Sequence, residues 1–199
     1  MISGACHRFL FAVSVALCLA NGAIAAGNSA APAPLDPQPA AASLQPGLQS
    51  LVFDSDFKNV DNMPSTPEEL AKGRRGAPVA NLASSAADGR LWGIASGALY
   101  GVHFTGLIRL EAGDYSFLAN SNDGVRVFVG TACVVDDPDV HADHLSEPVK
   151  VSIAKPGWYP ITVQYFQRRG GARLELFWQP PGASAPAIVP ASALAHASN

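Results

Sequence analysis

The most polar stretch of the sequence spans residues 136–144 and holds the side chains best suited to bind a metal ion. It contains Asp136, Asp137, Asp139, His141, Asp143 and His144. The aspartates could offer oxygen ligands to Ca²⁺, and the histidines could offer ring nitrogens to Zn²⁺ or Cu²⁺. The spacing follows no standard metal-binding loop and lacks the glycine of an EF-hand. The pattern therefore favours a solvated polar loop over a metal site.

A second group of candidate ligand-binding residues surrounds a predicted turn at residues 120–124. Asn120, Asn122 and Asp123 could bind a ligand through their side-chain oxygens, and Asp123 with Gly124 is a favoured turn pair between two strands. Trp92 lies in a predicted loop, so we expect it to be exposed and able to stack on a sugar ring. Trp178 alternates with core positions, which predicts that it is buried.

The sequence contains no recognisable catalytic motif. It has no G-x-S-x-G nucleophile turn, no phosphate-binding loop and no zinc-peptidase signature. A glycosidase would need two carboxylates about 5 to 9.5 Å apart in a cleft, and the sequence supplies no candidate pair. We therefore predict that the protein is not an enzyme.

Alternating apolar and polar residues from about residue 98 predict the elements that position these side chains. Runs of this kind cover residues 102–110, 115–119, 125–129, 149–153, 159–165 and 173–178. Many short alternating strands predict an all-β fold with an antiparallel β-sandwich. Gly106 interrupts one run, which indicates a bulge or a close packing point. Gly170 and Gly171 predict a two-residue hairpin.

One short helix is predicted in the N-terminal part of this domain. Thr66 can cap it, Pro67 suits its first position, Glu69 completes a capping box and Gly73 can end it. The stretch 74–97 is rich in Gly, Ala and Ser and is predicted to be loop.

The order and spacing of four stretches resemble the PA-14 domain family, a group of β-sandwich domains related to protective antigen. The stretches are residues 102–106, 112–117, 121–130 and 156–190. The resemblance implies a binding module, since many members are implicated in carbohydrate binding. In its lectin members, two adjacent aspartates joined by a cis peptide hold a Ca²⁺ that binds sugar hydroxyls directly.

The resemblance places those two aspartates on Asn122 and Asp123. Here the first carboxylate is an amide, which offers an oxygen but no charge. Because Ca²⁺ affinity depends on the number of charged ligands, we expect a Ca²⁺ site at this pair to be weaker or absent. A turn without metal is the other interpretation, and the pattern favours it.

The N-terminus is typical of a secretory signal peptide. Arg8 precedes an apolar run at residues 9–19, and an A-x-A site follows at 23–25, so we expect cleavage after Ala25 and no membrane insertion afterwards. Residues 26–46 are predicted to be an Ala/Pro-rich spacer, 47–194 the sandwich domain and 195–199 a disordered tail. The protein is thus predicted to be exported, either periplasmic or secreted.

Charge and cysteine content limit the possible partners. Cleavage would remove Arg8, leaving 12 of the 13 Lys and Arg against 16 Asp and Glu and changing the net charge from −3 to −4. This balance argues against nucleic acid as a partner. Cys133 would be the only remaining cysteine, so no internal disulfide is possible.

Two functional hypotheses fit these observations. The first is a carbohydrate-binding or adhesion module that uses residues 120–124 and a nearby aromatic side chain, with or without Ca²⁺. The second is a structural or protein-interaction module of the cell envelope that uses a sheet edge or the region around Cys133. The predicted partner is accordingly a glycan or an envelope protein.

Overall fold

The computed structural model describes residues 31–198 as a sandwich of two antiparallel sheets, which confirms the predicted fold class. The strands are β1 (Leu44–Pro46), β2 (Gln49–Phe53), β3 (Arg74–Arg75), β4 (Ala83–Ala86), β5 (Tyr100–Leu110), β6 (Gly113–Asn122), β7 (Val125–Val129), β8 (Ala132–Asp137), β9 (His144–Leu145), β10 (Val149–Ile153), β11 (Gly157–Gln167), β12 (Ala172–Gln179), β13 (Ala187–Ile188) and β14 (Leu194–Ala197). One α-helix, α1 (Pro67–Leu70), and four 3-10 turns (Ala41–Ser43, Val60–Asn62, Leu91–Gly93 and Ala191–Ala193) complete the described elements.

The first sheet has eight strands in the order β1-β14-β5-β11-β7-β8, with β2 also paired to β5 and β3 to β2. The second has six, in the order β10-β6-β12-β13, with β4 beside β12 and β9 beside β6. Alternate side chains of both sheets point inward; Phe104, Val163 and Leu176 are fully buried there. Removing this apolar surface from water is the main stabilising term, at about 25 cal/mol per Å².

A second, smaller apolar cluster covers the outer face of the first sheet. Phe53, Phe57, Val60 and Met63 pack together with Phe166 of β11. Gly101 of β5 permits this contact, because a Cβ there would lie 2.7 Å from the Phe57 ring. Leu70 of α1 packs against this cluster. The predicted capping box of α1, between Thr66 and Glu69, is confirmed.

Two predictions about glycines have different outcomes. Gly106 is a close packing point, since a Cβ there would lie 2.5 Å from the carbonyl oxygen of Ala195. The ladder between β5 and β11 keeps its register through Gly106, and the irregularity falls instead between Val127 and Phe128. The predicted hairpin at Gly170 is wrong: β11 belongs to the first sheet and β12 to the second, so residues 168–171 cross between sheets.

The structure also differs from the predicted spacer and disordered tail. β1 pairs with β14 from Leu44 to Pro46, and the Leu35 N–H donates to the carbonyl oxygen of Trp158 at 2.9 Å. The Trp158 N–H in turn donates to Gln38 Oε1 at 2.7 Å. A segment poor in apolar side chains can still satisfy main-chain groups that a neighbouring strand leaves free, and composition does not report this.

The predicted signal peptide at residues 1–25 lies outside the described residues. Within residues 31–198, no helix is long and apolar enough to cross a membrane.

Candidate functional site

Three connections meet at one end of the sandwich, which we call the loop end. They are the turn around Asn122 and Asp123, residues 138–143 between β8 and β9, and residues 168–171 between β11 and β12. Asp123 Oδ2 accepts the Arg168 N–H at 2.7 Å, and Asn122 Nδ2 donates to Asp143 Oδ1 at 2.9 Å. The two candidate regions that the sequence singled out separately are therefore neighbours.

Asp123 faces the interior of the loop end. Asp123 is only 3% exposed. The peptide bond between Asn122 and Asp123 is cis, as the family resemblance implies. Burial raises the pKa of its carboxyl above the ordinary range, although the backbone N–H of Arg168 opposes that rise. Asp123 thus caps main-chain donors of the connection between the sheets.

Asn120 and Asn122 instead belong to a continuous row of polar side chains on the outer face of the second sheet. The ladder sets Asn120 opposite Glu175 and Asn122 opposite Arg173. We call Asn120, Asn122, Asp143, Arg173 and Glu175 the polar row.

Hydrogen bonds fix the polar row. Asn120 Nδ2 donates to Glu175 Oε2 at 2.9 Å, and Arg173 Nη1 donates to the same oxygen at 3.2 Å. Arg173 Nε donates to Asp143 Oδ2 at 2.6 Å. The Arg173 guanidinium, followed by the Asn122 amide, holds the pKa of Asp143 below its usual range. The result is a preorganised, partly exposed surface of planar donors and acceptors.

An apolar surface adjoins the polar row. Leu145 of β9 lies opposite Asn120 in the ladder, and 54% of it is exposed. Phe177, two residues beyond Glu175 on the same face of β12, is half-buried. Polar and apolar groups therefore lie side by side on one sheet surface.

Trp92 does not join this surface. It lies in the 3-10 turn Leu91–Gly93 with φ 48°, and its ring meets Phe104 of the core edge-on at a centroid distance of 5.3 Å. It is half-buried, so the prediction of an exposed ring is wrong. A loop sequence does not report whether its aromatic side chain folds back onto the core. Trp178 is also half-buried, with its ring 5.7 Å from that of Tyr115.

Two tyrosines connect the turn that contains Trp92 to the loop end. The Leu91 N–H donates to the Tyr100 hydroxyl, the Tyr100 and Tyr165 rings lie 6.2 Å apart, and the Tyr165 hydroxyl donates to the carbonyl oxygen of Asn122. Burial raises the pKa of Tyr100 to about 12. Both phenols therefore stay neutral and act as hydrogen-bonding braces.

The Asn122 and Asp123 side chains already make hydrogen bonds within the protein. Calcium requires several oxygen ligands with free lone pairs. Asp123 Oδ2 accepts a backbone N–H and the Asn122 amide nitrogen donates to Asp143, so a Ca²⁺ ion at this pair would have to use the remaining oxygen lone pairs. A separate group, Asp137, His141 and His144, brings three potential ligand atoms within 4.8 Å of one another.

The sequence singled out two members of the polar row, Asn120 and Asn122, and counted Asp143 only as part of the polar loop. Arg173 and Glu175 were visible as the polar positions of an alternating strand. Only the pairing of β12 with β6 shows that they face the two amides, and the sequence does not specify that pairing.

Comparison with known proteins agrees with this architecture. A family model described as the PA14 domain matches residues 96–192. No curated protein matches the sequence. Among solved structures, the chain is similar to the PA14 domain of the antifreeze protein MpAFP, with 17% identity, a TM-score of 0.65, and coverage of 77% of this chain and 92% of that one.

Two sugar-related structures are also similar. One is a PA14 sugar-binding domain from an RTX adhesin, with 18% identity, a TM-score of 0.60, and coverage of 76% of this chain and 98% of that one. The other is the A domain of epithelial adhesin 9 from Candida glabrata in complex with Galβ1-3GlcNAc, with 12% identity, a TM-score of 0.64, and coverage of 85% and 97%. At such identities the likeness establishes the fold. Over residues 96–192, where the family model matches, the chain belongs to the PA14 domain family.

Proposed function

We propose that the chain is an exported, non-catalytic module that binds carbohydrate, or mediates adhesion through it, with the polar row and Leu145. Export is supported by the signal-like N-terminal sequence. Carbohydrate as the ligand class is supported by two similar folds, one described as sugar-binding and one solved with a disaccharide.

The polar row is the observation on which the proposal depends. A sugar presents neighbouring hydroxyls that both donate and accept, and planar amide, carboxylate and guanidinium groups can bond two of them at once. The row offers all three group types. Its side chains are fixed by mutual hydrogen bonds, so less conformational entropy is lost on binding.

Leu145 supplies the complementary apolar contact. Pyranose rings have one face of C–H groups, and a 54% exposed leucine beside hydrogen-bonding groups can cover such a face. Binding sites commonly combine an apolar surface with a few fixed polar groups.

A glycan array tests the proposal directly. We expect the purified chain to bind a defined set of glycans, and Arg173→Gln to weaken that binding at least tenfold by removing donors from the row. Arg109→Gln is the matched control, because Arg109 is an exposed arginine on the other sheet and forms an ion pair with Glu111 at 3.7 Å. An array without any binding, or equal affinity of both variants, would refute the proposed site.

Calcium dependence is a separate arm of the same experiment. The prediction that Ca²⁺ binds at Asn122 and Asp123 is tested by melting the chain with millimolar Ca²⁺ and with a chelator, since a ligand specific for the folded state must raise Tm. If Tm rises with Ca²⁺, Asp123→Asn should remove the rise. Glycan binding that is unchanged in chelator would assign recognition to the polar row alone.

Cys133 is a poor attachment point for the alternative function of an envelope structural module. Its thiol donates to the carbonyl oxygen of Val135 at 3.3 Å, and burial raises its pKa to about 11. The reactive thiolate is therefore scarce at neutral pH.

A further inference from the structure

A cluster of three metal-ligating side chains lies where β8 ends and β9 begins, outside the polar row. His144 Nε2 lies 2.9 Å from Asp137 Oδ2, and His141 Nε2 lies 3.3 Å from the same oxygen. The two imidazole rings are 4.0 Å apart between centroids. Asp137 and His141 are largely enclosed, with 17% and 14% of their side chains exposed, whereas 47% of His144 is exposed.

These close contacts are not hydrogen bonds. Asp137 Oδ2 and His141 Nε2 are both buried and have no hydrogen-bond partner within residues 31–198. His141 Nδ1 lies 2.9 Å from the carbonyl oxygen of Ala142, which can only accept, so Nδ1 holds the ring proton. In the neutral ring, the Nε2 lone pair therefore faces a carboxylate oxygen, and a cation between them, either a proton or a metal ion, makes that arrangement favourable.

We propose that Asp137, His141 and His144 bind a divalent first-row transition-metal ion of the Zn²⁺ type. Two imidazole nitrogens and one carboxylate oxygen form a borderline donor set that suits such ions, whereas Ca²⁺ and Mg²⁺ require oxygen ligands. The hydrogen bond from His141 Nδ1 to a carbonyl is the outer contact that usually orients a metal-bound histidine.

The scaffold holds this donor set from both sheets. Asp137 lies opposite Val125 in the β7–β8 ladder of the first sheet, and His144 lies opposite Ser121 in the β6–β9 ladder of the second. A bound ion therefore joins the two sheets across the loop 138–143. It leaves one coordination position open toward solvent on the exposed side of His144, for water or a group of a partner molecule.

The site also adjoins the polar row, because Asp143 lies between the two histidine-bearing positions and accepts from Asn122 and Arg173. A metal ion that orders residues 138–143 thus also orders Asp143. The metal test below needs no glycan, so its result is independent of the proposed function.

The test uses the purified chain, without a histidine tag, stripped with chelator and dialysed. We expect titration with ZnCl₂ to show one equivalent bound, and Zn²⁺ at a hundredfold excess over Kd to raise Tm by about 5 to 10 °C. Ca²⁺ and Mg²⁺ should give no such rise at this site. Co²⁺ should give visible absorption bands that Zn²⁺ displaces, which reports direct coordination.

Two histidine variants locate the ion. His144→Gln removes the most exposed of the three ligands, and it should weaken Zn²⁺ binding at least tenfold and remove the Co²⁺ bands. His196→Gln is the matched control, since His196 contacts the carbonyl oxygen of Gly47, and it should bind as wild type does. The absence of a Tm rise, or a His144→Gln variant that binds Zn²⁺ with wild-type affinity, would overturn the proposal.

Discussion

His103 makes the stability of the domain sensitive to mild acid. It lies on the outer face of β5, with 5% exposed and its ring edge-on to Phe53 at a centroid distance of 5.6 Å. Its Nε2 is buried, and no group in the described part of the chain forms a hydrogen bond with it. Burial lowers the pKa of the ring from 6.5 to about 4, because the charged form would lose its hydration.

The sign and size of the effect follow from linkage. The pKa is lower in the folded state, so the stabilising contribution is complete above about pH 6.5 and is lost as the pH falls from there toward 4. At about 1.36 kcal/mol per pKa unit, the contribution lost below pH 4 is roughly 3 kcal/mol, of which about 2 kcal/mol has gone by pH 5. This is a large share of the roughly 5 to 15 kcal/mol typical of a domain.

The assay is urea unfolding of wild type and His103→Leu at several pH values between 7.5 and 5. Leucine removes the titrating ring while keeping an apolar contact for Phe53, and the remaining histidines contribute equally to both proteins. We expect the free energy of unfolding of wild type to fall by about 2 kcal/mol relative to the variant across this range. Parallel pH profiles would show that His103 is not held neutral by burial.

Two further pairs of substitutions test packing and charge in and beside the first sheet. Gly106→Ala should lower the free energy of unfolding by about 1 to 3 kcal/mol, because the added Cβ would lie 2.5 Å from a main-chain oxygen. Gly97 has open space around it, so Gly97→Ala should change the free energy of unfolding by less than about 0.5 kcal/mol. Thermal melting of both variants measures the difference. In urea unfolding, Arg126→Met should lower the free energy of unfolding by more than Asp61→Asn does. The Arg126 side chain is 16% exposed and forms ion pairs with Asp61 at 2.6 Å and with Asp136 at 2.7 Å. The Asp61 side chain is 68% exposed, so it contributes less than about 1 kcal/mol. If both charge variants lose the same free energy of unfolding, the ion pair between Arg126 and Asp136 does not stabilise the domain.

The strands could be predicted because one face of each is buried. Tyr115, Phe117 and Ala119 alternate with more exposed positions in the sequence and are buried in the structure, as a period of two requires. The capping box of α1 could be predicted for a similar reason, since its hydrogen bonds are local.

Sheet membership could not be predicted, because it depends on contacts distant in sequence. The glycines at 170 and 171 suit a hairpin, yet the chain changes sheets there, and alternation within β11 and β12 is the same in either arrangement. The packing of Phe57 and Met63 on the outer face of the first sheet could not be predicted either, because it depends on the space that Gly101 leaves there.

The sequence could partly predict that the two polar regions meet at the loop end. β7 and β8 form a hairpin that sets Val125 opposite Asp137, so the residues after Asp137 must return beside Asn122 and Asp123. In the sequence, Gly130 indicates the turn between β7 and β8, and its φ there is 57°. Which of the two adjacent side chains faces inward could not be predicted: Asp123 points inward and Asn122 outward.

The contact of residues 35–38 with Trp158 determines how the domain could be presented on a support. Trp158 is the second residue of β11 and Gln167 is its last, beside the loop end, so the two lie about 30 Å apart at about 3.3 Å per residue. A tether attached ahead of Leu35 therefore leaves from the far pole of the sandwich. Immobilisation through that end would aim the polar row away from the support, which makes the orientation suitable for measuring binding on a surface.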